Sequence, residues 1–183
     1  MFEYYLVEHC APTLASIKTA NMFSVHYDNH TAVADAIALY NNFFAGKGVR
    51  LMLLKAKNNF ALIYVYRPAR LRKDLAKPGV AAFLADYGYI STDVDDCIRH
   101  LQTRLAESSG FPHEIGIFLG YPLGDVIGFI ENAGQNCKCT GCWKVYCNEC
   151  EAIKTFALYK KCSGIYTRLM REGRRNLLQL TVG

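Results

Sequence analysis

The chain has no run of about 20 unbroken apolar residues, so no membrane-spanning helix is expected. Met1 to His9 lacks a basic start followed by an apolar stretch, so export is not expected either. There is no internal repeat, no low-complexity tract and no linker rich in Ser, Pro or Gly. Nothing therefore marks an internal boundary, and 183 residues suit a single domain over 1–183. Acidic residues are scarce in one place: from Lys154 to Arg175, seven basic residues face only Glu172. What is present in plenty is apolar, 51% of the chain, enough to bury a core without metals or disulfides as staples. A cytoplasmic, reducing location is the expectation, and there paired cysteines point to metal or redox chemistry more than to structure.

Short apolar runs alternate with amphipathic stretches. Residues 2–8 and 19–27 read as strands. Thr31 can cap a helix to Ala45, with Val33, Ile37, Tyr40 and Phe44 on its inner stripe. V-R-L-M-L-L-K and F-A-L-I-Y-V-Y flank Asn58-Asn59 and predict a hairpin in mid-sheet. Pro68 suits a first helical turn. A short helix over 78–87 and a long one from Ser91 or Thr92 to Ser109 follow; Val94, Cys97, Ile98, Leu101 and Leu105 form the stripe of the latter. Residues 115–119 read as a strand, Tyr121-Pro122 opens a helix through Ile130, and Trp143–Tyr146 is a short strand. Asn148 caps a further helix, and 177–182 reads as a last strand. The expected fold class is α/β or α+β, with a mixed sheet of about five to seven strands flanked by helices.

Five of the eight cysteines fall in C-K-C-T-G-C-W-K-V-Y-C-N-E-C, residues 137–150. Two C-x-x-C pairs, Cys139/Cys142 and Cys147/Cys150, could chelate zinc or iron. However, the intervening strand spans ~13 Å, against the ~4 Å between sulfurs that share one ion. Cys137, Cys139 and Cys142 are the candidate metal ligands. Cys147 and Cys150 sit at a helix start that could lower a thiol's pKa, although Glu149 and Glu151 oppose it. The plain alternative is packing: Cys97 lies on its helix's apolar stripe, and Cys150 shares a face with Ile153 and Ala157.

Two other segments carry more chemistry than packing needs. In His9-Cys10-Ala11-Pro12-Thr13, Pro12 would open a helix and leave Cys10 near its N-terminus. In Pro112-His113-Glu114, a histidine enters the strand expected at 115–119. Cys10, His113 and Glu114 are the catalytic candidates, conditional on the fold bringing them together. Gly120-Tyr121-Pro122-Leu123-Gly124-Asp125 passes from strand to helix, so Gly120 and Tyr121 are candidates for holding a phosphate or flavin anion. Asp125 would compete for the same donors. The aromatics, 13% of residues, could line an apolar pocket or simply fill the core.

The strings F-P-H-E-I-G-I-F-L-G-Y-P-L-G-D-V-I-G-F-I, C-T-G-C-W-K-V-Y, Y-K-K-C, H-C-A-P-T-L-A-S-I-K-T-A-N-M-F and L-I-Y-V-Y-R-P resemble a family of small proteins from anaerobic Gram-positive gut bacteria. That family is known only as a domain of unknown function. The resemblance spans nearly the whole chain and brings no activity. It implies weight on Cys10, His113, Glu114, Gly120, Tyr121, Pro122 and the W-K-V-Y strand, and it implies that Cys147 and Cys150 are peculiar to this member.

The leading expectation is a cysteine-based redox or metal-handling protein of the cytoplasm, with zinc or iron as the candidate cofactor. Two alternatives stand beside it. One is a non-enzymatic adaptor whose basic 154–175 face meets an acidic protein, nucleic acid being the weaker reading. The other is a Cys–His hydrolase or transferase. A small-molecule partner is also open, and no membrane partner is expected.

Overall fold

A computed structural model describes residues 2–107 and 110–183. In chain order, the first elements are α1 (Phe2–Leu14), β1 (Ala20–His26), α2 (His30–Phe43), β2 (Arg50–Lys57), β3 (Phe60–Tyr66), α3 (Pro68–Leu75) and α4 (Val80–Ala85). They are followed by α5 (Val94–Glu107), α6 (Ile115–Phe118), α7 (Leu123–Glu131), β4 (Cys139–Thr140), β5 (Lys144–Val145), α8 (Glu149–Arg171) and α9 (Leu177–Leu180). The fold is mixed α and β. Among the described residues its strands form an antiparallel sheet in the order β1-β3-β2 and a separate β4-β5 ribbon. The end of the expected long helix at Ser109 lies outside the described residues.

The sheet is built around β3. Asn58 and Asn59 take positive φ, the geometry of the two-residue turn that matches strand twist. Successive β3 side chains alternate between faces. Ala61, Ile63 and Val65 enter one core with Phe23 and Val25, under Leu6, Cys10 and Leu14 of α1 and the buried residues of α2 and α9. Tyr64 and Tyr66 enter the other core, with Leu71 and Leu75 of α3, Ile98 and Leu101 of α5, Phe118 of α6 and Val126 of α7. Helices thus cover both faces of a small sheet, and β3, apolar on both sides, is central, while β2 is an edge.

Five to seven strands in one sheet were expected; three of the apolar runs behind that number are helical instead. Residues 2–8 belong to α1, in which Leu6, Cys10 and Leu14 recur at helical spacing. Pro12 sits in that helix's last turn rather than its first. Residues 115–119 close as α6 in a Schellman motif: Tyr121 N–H donates to the Gly116 carbonyl (2.9 Å) and Gly120 N–H to the Ile117 carbonyl (3.0 Å). Gly120 supplies the left-handed residue, φ 77°. Residues 177–180 form α9, opened by a reciprocal capping box between Asn176 and Gln179.

The C-terminal carbonyls of α1 converge on one buried cation. Arg67, 5% exposed at the end of β3, donates Nε–H to Thr13 O (2.6 Å), Nη2–H to Leu14 O (2.8 Å) and Val182 O (2.7 Å), and Nη1–H to Lys47 O (3.1 Å). Arg70 donates to Ser16 O. A guanidinium at a helix C-terminus satisfies orphan carbonyls and faces the negative end of the dipole. Arg67 therefore joins α1, the 44–48 turn, the sheet and the chain's last residues, and is no part of a solvated basic patch. Arg67→Met is expected to lower the unfolding free energy by about 3–5 kcal/mol, measured by urea denaturation. Arg67→Lys should recover less than half of the loss, because one ammonium cannot reach four carbonyls arranged around a flat fork.

Candidate functional site

The cysteine-rich segment is a two-stranded ribbon laid against α7. Cys139 pairs with Val145 and Thr140 with Lys144. The ribbon is held by Asp125, in the first turn of α7 and only 3% exposed. Asp125 Oδ1 accepts from the backbone N–H of Tyr146 (2.8 Å) and of Cys147 (2.8 Å), and Oδ2 accepts from Trp143 Nε1–H (2.7 Å). Three donors and the positive end of α7 offset the cost of burying the carboxylate. Close approach is possible because residue 128 is glycine: a Cβ there would meet Tyr146 Cβ at 2.6 Å. Asp125 thus gives its acceptors to the ribbon and not to helix N–H groups.

Between the ribbon, α6, α7 and β1 lies a cavity of about 480 Å³. Its walls are mainly apolar and aromatic: Met22, Phe111, Ile115, Leu119, Tyr121, Val126, Phe129 and Trp143, with His113, Thr140 and Lys144 around them. Tyr121 and Trp143 stack (centroids 4.9 Å apart, 28°), and Phe156 meets Trp143 edge-on (4.6 Å, 79°). His113 lies edge-on to Phe129 at 4.9 Å. Tyr121 O–H donates to Cys142 O (3.1 Å), which ties the cavity wall to the tip of the ribbon.

The expected catalytic trio does not meet. Cys10 is fully buried in the core beneath α1, on one face of the sheet, whereas His113 borders the cavity on the other face. Cys10 also lies toward the C-terminal end of its helix, where the dipole disfavours a thiolate; burial pushes its pKa far up, against a smaller opposing pull from Lys18. Glu114 is 1% exposed and ion-paired with Arg104 (2.8 Å), a structural pairing. Gly120 caps α6: a Cβ there would come within 2.8 Å of Thr19 Oγ1, so its absence serves close packing and not an anion cradle. Tyr121 does line the cavity.

All eight cysteines are free thiols, with Cys142, Cys147 and Cys150 exposed and Cys137 and Cys139 partly so. Among the described residues no group of three or more His, Cys, Asp or Glu side chains is placed to hold a metal ion. Cys137, Cys139 and Cys142 share the ribbon without forming such a set. Burial, then Glu149, raises the Cys139 pKa; burial raises Cys142 against the pull of Lys18; burial, then Asp125, raises Cys147. These environments keep thiols protonated rather than activating them. Among the described residues no helix is long and apolar enough to cross a membrane. Of the basic residues of 154–175, five lie along α8, where Lys154 pairs with Glu151 (2.7 Å), while Arg174 and Arg175 follow the helix and Arg174 pairs with Glu172 (2.9 Å).

A family model described as "Protein of unknown function (DUF3793)" covers residues 6–181. The chain belongs to this family. No curated protein and no solved structure matches it. Membership in the family agrees with the resemblance read from the motifs and assigns no activity.

Sequence reasoning missed several residues in this family member's cavity. Trp143, Phe129 and Phe111 read as strand or core, although W-K-V-Y and F-P-H-E stood out as motifs. Lys18 also escaped notice. It is 4% exposed, donates to Ala20 O, and sits 5.4 Å from the Tyr121 ring centroid. Burial draws its pKa down from 10.5 to about 8, against smaller opposing effects of Cys10 and Cys142. The unfolded chain therefore binds the extra proton between those two values, so the stability penalty is full below pH 8 and fades as pH rises toward 10.5. The difference in unfolding free energy, wild type minus Lys18→Met, should rise by about 2–3 kcal/mol between pH 7 and pH 10. A flat difference would show that the amine is not held in an apolar setting.

Proposed function

We propose that this protein binds a small, planar, largely apolar molecule in the cavity beneath the cysteine-bearing ribbon. One observation carries the reading: a concavity of about 480 Å³ walled by Phe111, Tyr121, Phe129 and Trp143, with His113, Asp125, Thr140 and Lys144 as its few other polar side chains. Volumes of a few hundred Å³, apolar walls and a few placed polar groups are the usual form of a small-molecule site. Stacked and edge-on rings favour a flat guest, whose faces and edges they complement.

Thiol redox or metal handling is the second reading, favoured by the five thiols gathered on the ribbon and at the start of α8. The raised pKa of Cys139, Cys142 and Cys147 weighs against a nucleophilic role for them at neutral pH. A cytoplasmic, reducing setting accords with eight unpaired cysteines.

The neutral fluorophore N-phenyl-1-naphthylamine tests the first reading. Trp143, the chain's single tryptophan, should be quenched as the probe brightens, with one saturable site and a Kd on the order of micromolar. Met22→Trp, which fills the cavity, should weaken binding at least about tenfold, read from probe emission. Unchanged emission from both fluorophores with a folded protein would reject the reading.

A further inference from the structure

A second concavity of about 300 Å³ shares two walls, Phe111 and His113, with the aromatic cavity, and adds Tyr87, Arg104, Glu114 and Ile130. Its character differs. Arg104, from α5, has its side chain 30% exposed, and its guanidinium carbon stands 5.4 Å from the Tyr87 ring centroid. The buried Glu114 carboxylate accepts Arg104 Nε–H at 2.8 Å. Neither Nη atom of Arg104 has a hydrogen-bond acceptor among the described residues. The guanidinium is therefore held through Nε, stands over an aromatic ring and belongs to a residue that lines the second concavity. This is how a guanidinium is organised in advance to receive a second planar anion.

Asp125 also lines the aromatic cavity, and its oxygens are both occupied by ribbon donors. An anionic group there would face a carboxylate with no donor to spare. Lys144, the other cation on the wall, gives one N–H of its ammonium to Gly134 O (2.6 Å) and stands 5.9 Å from the Phe129 ring centroid, a point charge without the flat fork that matches a carboxylate. Each concavity thus carries one carboxylate and one cation, Asp125 with Lys144 and Glu114 with Arg104, and Arg104 is the cation already paired to a carboxylate by one N–H with its Nη groups left over.

Resting on the ligand-binding reading above, we infer that the guest is an aryl carboxylate: its rings occupy the aromatic cavity and its carboxylate is received by Arg104, past Phe111 and His113. Glu114 acts as a positioning residue that holds the guanidinium by Nε.

The test is a matched pair of competitors, 2-naphthoate and 2-naphthamide, displacing N-phenyl-1-naphthylamine at neutral pH. They share size and shape and differ in charge. In the wild type the acid should bind at least about tenfold more tightly than the amide, the usual scale for a charge-assisted pair. Replacing Arg104 alone would strand buried Glu114, so the variant is Arg104→Met with Glu114→Gln. It should keep the affinity for the neutral probe and lose the preference for the acid. Equal binding of acid and amide to the wild type, with the neutral probe bound normally, overturns this inference and leaves the ligand-binding reading standing. A preference that survives in the double variant overturns the role of Arg104. Failure of the neutral probe itself to bind overturns both. Should the variant not fold, the wild-type ratio of acid to amide decides alone.

Discussion

The Asp125 carboxylate, held out of water at the start of α7, accepts one side-chain and two backbone hydrogen bonds from the ribbon. Two residues per strand cannot make a stable sheet alone, so the ribbon borrows its order from this carboxylate and from the close seat at Gly128. The aromatic cavity follows. Trp143 is pinned by its indole N–H, Tyr121 stacks on it, and Phe129 closes the wall from α7. Without this anchor Trp143 would keep only its ring contacts with Tyr121 and Phe156, and the cavity wall it forms would loosen.

The sheet imposes the second constraint by dividing the chemistry. Period-two alternation along β1 and β3 sends one set of side chains toward α1 and the other toward α6 and α7. Cys10 falls on the first side and His113 on the second, so a thiol–imidazole pair is excluded by topology. Arg67 closes α1 from below and secures the arrangement. Conspicuous residues of the motifs thus divide into framework, as with Cys10, Glu114 and Gly120, and cavity, as with His113, Tyr121 and Trp143.

Much of the architecture was readable from local signals. The Asn58-Asn59 turn marked the β2-β3 hairpin, Pro68 the start of α3, the stripe from Val94 to Leu105 the course of α5, and Asn148 the cap of α8. The failures share one cause. I-G-I-F-L, F-E-Y-Y-L-V-E and L-L-Q-L-T-V are too short for periodicity to separate strand from helix. The deciding signals were end groups: Gly120 as a helix terminator and Asn176 with Gln179 as a capping box. The candidate site was legible only in part. His113 and Tyr121 stood out through unusual motifs, but Arg104 joins Glu114 through a contact that no spacing rule announces. The value of Asp125 depends on a ribbon some 20 residues later in the chain.

The account stands on Asp125 fastening the ribbon over the cavity, and Asp125→Asn isolates that link. The amide can still accept at one oxygen, but it turns an N–H₂ group toward the Trp143 indole N–H. Hydrogen exchange of the Tyr146 and Cys147 amides, followed with binding of N-phenyl-1-naphthylamine, measures it directly. The expected result is loss of protection at both amides and loss of probe binding, while β3 amides stay protected. Wild-type protection and wild-type binding in the variant would contradict the account.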